Sequence, residues 1–143
     1  MKVKIVNKSK YPVPSYATVA SAGMDLHANI DEPLVLGSLE RSLVPTGIFI
    51  ELPVGYEAQI RPRSGLALKH DIMLTNSPGT IDAGFRGEVA VIMYNGGKTP
   101  FPISRGDRIA QMVIAKLPEV TLVAVSELAG SERGEGGFGS TGK

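Results

Sequence analysis

Ser42-Leu-Val-Pro-Thr-Gly-Ile-Phe-Ile-Glu-Leu-Pro-Val-Gly-Tyr-Glu-Ala-Gln-Ile60 decides the architecture. Three short apolar runs, Ser42–Val44, Gly47–Leu52 and Tyr56–Ile60, are cut apart by Pro45, Pro53 and Gly55. β-Branched and aromatic residues suit strands, and Pro and Gly turn the chain between them. The rhythm continues in both directions. Lys2–Val6 alternates charged and β-branched residues and predicts a strand with one wet face. Met24–Ala28 and Leu34–Leu36 follow, and after the quoted stretch come Glu88–Tyr94, Asp107–Leu117 and Val120–Val125. Tyr11–Tyr16 carries two prolines and predicts an extended or turning segment. Only Ser64–His70 predicts a helix, one or two turns long behind a Ser64 cap. Many short strands with turn signals between them predict an all-β sandwich or barrel.

Composition agrees. Gly and Pro make up 27 of 143 residues, which favours strands and turns over long helices. The length suits one domain that buries a core without disulfides or a structural metal. With no Cys, disulfide frameworks, Cys-based zinc sites, iron–sulfur clusters and cysteine nucleophiles are excluded. The same absence fits a cytoplasmic protein. The start, MKVKIVNKSK, is basic but has no apolar core of the kind a signal peptide needs, so none is expected. No apolar run approaches the ~18 residues of a membrane span. A net charge of +1 argues against an electrostatic nucleic-acid binder.

The last segment departs from this pattern. Residues 130–143 hold six glycines in fourteen residues, so the chain divides into a β domain, 1–129, and a flexible Gly-rich C-terminal arm, 130–143. Gly134-x-Gly136-x-x-Gly139 copies a dinucleotide fingerprint, and Gly137-x4-Gly142-Lys143 copies most of a P-loop. Both patterns need a helix to follow, and no helix-forming sequence follows here, so both are rejected. The arm reads either as a disordered tail or as a segment that orders over an anion. Its glycine N–H groups, the hydroxyls of Ser140 and Thr141, and the guanidinium fork of Arg133 suit phosphate oxygens. Phe138, among glycines, suits stacking on a base.

Further candidates lie inside the domain. Arg61-Pro-Arg-Ser-Gly-Leu66 gathers two guanidiniums, the Ser64 hydroxyl and the Gly65 N–H, which suits a phosphate cradle as well as it suits a charged surface loop. Asn76 can present both donor and acceptor to a base edge. Asp82, beside glycines at an expected hairpin, is either a general base toward water or a turn cap. Asp25 interrupts an apolar stretch and therefore needs an Arg, backbone amides or a hydrated metal as partner. His27 and His70 read as structural or exposed. Arg105-Gly-Asp107 spells an adhesion tripeptide and is read as chance.

Taken together, Ala22-Gly-Met-Asp-Leu26, Arg63-Ser-Gly-Leu-Ala67, Gly79-Thr-Ile-Asp-Ala-Gly-Phe-Arg-Gly-Glu88, Arg105-Gly-Asp-Arg-Ile-Ala-Gln111 and Arg133-Gly-x-Gly-Gly-Phe-Gly-Ser-Thr-Gly142 resemble the five ordered motifs of the trimeric dUTPases, the dUTP diphosphatases. The resemblance spans nearly the whole chain. It implies a jelly-roll-like fold and a homotrimer with shared active sites. The implied reaction is Mg2+-assisted hydrolysis of dUTP to dUMP and pyrophosphate, which keeps uracil out of DNA and supplies dUMP for thymidylate synthesis. By motif position, Asp82 would activate the water that attacks the α-phosphorus, and Asn76 would meet uracil. Arg63, Ser64, Gly65 and Gln111 would hold the phosphate chain. Arg133, Gly139, Ser140 and Thr141 would close over the γ-phosphate, and Phe138 would stack on uracil. Asp25 would support the metal through water. Phe85 stands where the family commonly has Tyr, so its ring can face the deoxyribose but no phenol hydroxyl is available. Two alternatives stand beside this reading. A dCTP deaminase-like enzyme of the same fold would release ammonia and need a catalytic Glu at the base. A non-catalytic nucleotide-sensing trimer would keep the pocket alone.

Overall fold

The computed structural model describes residues 1–138. Eleven strands and one helix follow in order: β1 (Lys4–Asn7), β2 (Met24–His27), β3 (Leu34–Leu36), β4 (Arg41–Val44), β5 (Ile48–Glu51), β6 (Tyr56–Arg61), α1 (Ser64–His70), β7 (Ile72–Leu74), β8 (Gly79–Ile81), β9 (Val91–Asn95), β10 (Phe101–Ile103) and β11 (Arg108–Lys116). All pairings are antiparallel, and no sheet closes on itself. The largest sheet runs β2-β11-β6-β8, the next β4-β9-β7, and two-stranded ribbons β1-β5 and β10-β3 complete the wrap. The result is an all-β, jelly-roll-like fold with one short helix; of the two expected forms, the barrel is not the one adopted.

Alternation along the strands directs one face inward. In β9, Val91, Met93 and Asn95 are buried while Ile92 and Tyr94 are half-buried. Leu26, Leu36, Val44, Met93 and Ile103 are shielded from solvent and belong to one cluster that draws on every sheet. Asn95 is the one large polar side chain inside that shell, and its groups are matched. Its Nδ2 donates to Leu36 O (3.0 Å) and Thr99 O (2.9 Å), and its Oδ1 accepts from Gly97 N (2.9 Å). Asn95→Ala strands the buried Leu36 carbonyl, unties Thr99 O and Gly97 N nearer the surface, and opens a small void. Chemical denaturation is expected to show a loss of about 2–4 kcal/mol.

Three expectations change. Ser64 is not the helix cap: Arg63 is, extended at φ −95° and ψ 129°, with no side-chain cap bond, so Ser64 opens the first turn. Val120–Val125 forms no strand. These residues are exposed and pair with no strand among the described residues, and a lone strand is not stable by itself. The expected hairpin around Asp82 is a turn between sheets, since β8 pairs with β6 while β9 pairs with β4 and β7. Strands β7, β8 and β10, three residues each, add to the strands expected from the sequence. Arg105-Gly-Asp107 is a structural turn, with Arg105 bonded to Ile30 O (2.8 Å) and Asp107 to Ser104 N (2.7 Å).

Candidate active site

β11 is the spine of the site. It pairs with β2 on one side and β6 on the other, so Asp25, Gln111 and Arg61 share one row across three strands. Between Arg108 and Ala110 the register with β2 slips by one residue. Such a bulge leaves one residue unpaired and re-aims its neighbours. Here it lets Ile109 and Ala110 both face the core and sets Arg108 opposite His27, on the face that carries Asp25.

Asp25 thereby gains two cations. Its Oδ1 accepts from Arg63 Nε (3.0 Å) and its Oδ2 from Arg108 Nη1 (3.1 Å). Arg63 Nη1 also donates to Arg108 O (3.2 Å). The carboxylate is about one-third exposed, so these bonds fix geometry more than they stabilise the fold. The cluster carries one net positive charge, with guanidinium edges left over for an anion. Of the partners foreseen for Asp25, the structure supplies arginine. Arg108 is the member missed in sequence, because only the bulge turns it to this face. Gln111 lies alongside, its Nε2 donating to Pro62 O (3.0 Å). Ser64 and Gly65 follow Arg63 directly at the uncapped start of α1, both exposed.

Asn76 and Asp82 lie on another part of the sheet. The Asn76 amide lies over Gly79, where an added Cβ would come within 3.2 Å of Nδ2. The Ser77–Pro78 peptide between them is cis. Asp82 is exposed, and its carboxylate has no hydrogen-bond or salt-bridge partner among the described residues. The turn is closed by backbone, Phe85 N to Asp82 O (3.0 Å), so the Asp82 side chain is not needed as a cap. Arg86 fixes the turn from outside through Ala83 O (2.7 Å) and Phe85 O (2.8 Å). Glu88 ties its far end to Thr46 N (3.0 Å) and Gly47 N (2.6 Å). Phe85 folds over Gly87, where an added Cβ would lie 2.5 Å from Cζ.

These groups do not all converge within one chain. Gly79 faces Ile60 and Ile81 faces Ala58, so Asp82 emerges near the Glu57 end of β6 while Arg63 leaves its other end. Six residues of extended chain separate the ends by about 20 Å. Arg133 and Phe138 form no hydrogen bond or ion pair with this site among the described residues. Arg133 Nε donates to Gly136 O (2.6 Å), and Phe138 is exposed at φ +50°. Gly139, Ser140 and Thr141 lie outside the described residues. Among the described residues, no three His, Asp or Glu side chains form a metal cage.

A carboxylate-locked pair of guanidiniums beside the start of α1 has N–H donors it can present to an anion. Comparison with known proteins makes the class specific. The dUTPase family model matches residues 9–142. The deoxyuridine 5'-triphosphate nucleotidohydrolase of Cytophaga hutchinsonii is 59% identical over 99% of this chain and 92% of its own length. A mutant dUTPase of Staphylococcus bacteriophage 80alpha, solved with dUpNHpp, superposes with a TM-score of 0.86 at 26% identity, covering 99% of each chain. A mutant dUTPase from phage phi11 of S. aureus, which coordinates a structural Mg(II) ion, shares the fold with a TM-score of 0.81 at 22% identity, over 91% of this chain and 100% of its own. The chain belongs to the dUTPase family, and it is an enzyme of that family. Among the described residues, no helix is long and apolar enough to cross a membrane.

Proposed function

We propose that this chain hydrolyses dUTP to dUMP and pyrophosphate in the cytoplasm, as a homotrimer whose active sites are shared between protomers. The observation that carries the reading is the pair of guanidiniums held by Asp25 beside Ser64 and Gly65, with Asp82, partnerless among the described residues, emerging at the opposite end of β6, a strand of about 20 Å. Two halves of one reaction centre that far apart can meet when they come from different copies. The exposed Val120–Val125 segment, apolar and β-branched but unpaired among the described residues, supports the same assembly, because another copy can provide an edge for it.

In this reading Arg63, Ser64, Gly65 and Gln111 bind the phosphate chain, and Asn76 meets the uracil edge. Phe85 packs on the deoxyribose, without the phenol hydroxyl common at that position. Asp82 orients a water toward the α-phosphorus and takes its proton as the new O–P bond forms. The bond from the α-phosphorus to the bridging oxygen breaks, and pyrophosphate leaves with that electron pair. Preorganised cations meet the charge that builds on the phosphate oxygens. Arg133, Gly139, Ser140 and Thr141 cover the γ-phosphate, and Phe138 stacks on the base. Mg2+ fits as an ion carried by the triphosphate, since it keeps water and takes few protein ligands. Asp25, with both oxygens already accepting from guanidiniums, would support that ion through water. When bound, Mg2+ supplies further charge neutralisation.

A panel of nucleoside triphosphates with Mg2+, monitored for pyrophosphate and ammonia, tests the reading. Pyrophosphate from dUTP in preference to dCTP, dTTP and UTP is expected. Ammonia from dCTP would instead move the chain to the deaminase branch, and tight dUTP binding without turnover would make it a sensor.

A further inference from the structure

Gly23 has no conformational reason to be glycine. It lacks the positive φ found at Gly106 (84°) or Gly47 (72°). It does have a steric one. An added Cβ would lie 2.3 Å from Gln111 Oε1, 3.2 Å from Cδ and 3.4 Å from Cβ. The obstacle is thus the length of the Gln111 side chain and not only its tip. Asp25 faces Gln111 across the ladder, so Gly23, two residues back, is the diagonal neighbour over which a long side chain lies. On the opposite side Gln111 Nε2 donates to Pro62 O (3.0 Å). The amide therefore has its oxygen against Gly23 and its nitrogen bonded to Pro62 O, with Asp25 as its cross-strand neighbour.

This orientation matters to an anion. A side-chain amide has two N–H donors and one carbonyl. With one N–H on Pro62 and the oxygen drawn over Gly23, the second N–H is left for a phosphate oxygen, and the repulsive carbonyl is kept aside. We infer that Gly23 is a positioning residue, whose missing side chain opens the slot that holds the Gln111 amide with its donor toward the phosphate chain. The inference rests on the reading of Gln111 as a phosphate contact.

A double-variant cycle of Gly23→Ala and Gln111→Ala separates the two ideas. Gly23→Ala is expected to raise KM for dUTP about tenfold, the size of one lost hydrogen bond to a charged group, with kcat changed less than about twofold. Once Gln111 is truncated, the methyl added at position 23 has room, so the double variant is expected to be no worse than Gln111→Ala alone. Losses that add, or an unchanged KM in Gly23→Ala, overturn the inference. The Gln111 side-chain amide signals in a 1H–15N spectrum should move in Gly23→Ala; unmoved signals also overturn it. If those signals move while Gln111→Ala leaves KM untouched, the slot stands and the phosphate contact falls. Should Gly23→Ala fail to fold, restored folding in the double variant supports the slot, and failure in both overturns it.

Discussion

Replacing Asp82 by Asn lowers dUTP turnover about 10³-fold, within the range a positioned general base contributes, while the fold and dUTP binding persist. Persistence of the fold follows from the surroundings. Asp82 is exposed, its turn is closed by its own backbone carbonyl, and its carboxylate supports no other described group. An exposed substitution of that kind shifts stability by no more than about 0.5 kcal/mol. Asn keeps the size and the ability to hold a water but cannot accept its proton. The expected signature is therefore a fall in kcat with KM for dUTP nearly constant. Turnover within tenfold of the parent, at saturating Mg2+ and with a matched melting temperature, would remove Asp82 from the chemistry. Asp25→Asn makes an instructive contrast, because it loosens Arg63 and Arg108 and so weakens substrate binding as well.

The strands around the quoted stretch were legible because each is a short β-branched run bounded by Pro or Gly. β3 begins and ends where its apolar run does, and α1 where its helix formers do. What the residues could not reveal depends on partners. Val120–Val125 has strand chemistry, yet a strand exists only against an edge, and among the described residues it pairs with none. Asp25 was readable as a carboxylate in need of partners, but choosing Arg108 requires the β11 bulge, which one-dimensional alternation does not encode. Likewise the Ser64 cap fails because Arg63 is drawn to Asp25 and stays extended, so the helix starts one residue after it. The separation of Asp82 from Arg63 is a property of antiparallel register. Motif order along the chain says nothing of which end of β6 each motif leaves.

Removal of residues 133–143 is expected to leave a folded trimer with turnover of dUTP reduced by about 10²-fold or more, the scale of losing preorganised donors to a charged phosphate. The fold should not notice the loss. The core cluster and the hydrophobic residues packed on it end at Ile114. The described part of the arm bonds only to itself, through Gly134 N to Ser131 O (3.1 Å) and Gly136 N to Arg133 O (3.0 Å). The truncation also keeps Val120–Val125, the segment on which assembly is argued to depend, so light scattering should still report three copies. Catalysis should suffer because Arg133 and the glycine N–H groups are the donors assigned to the γ-phosphate, and Phe138 has no protein surface to cover. An arm that engages only the full triphosphate also sets selectivity. Without it, affinity for dUTP should fall toward that for dUDP, while dUMP, which has no γ-phosphate to lose contacts with, should weaken only by the loss of Phe138 stacking. Equal turnover with and without the arm would show that residues 25–111 suffice for the chemistry. A trimer lost on truncation would instead assign the arm to assembly.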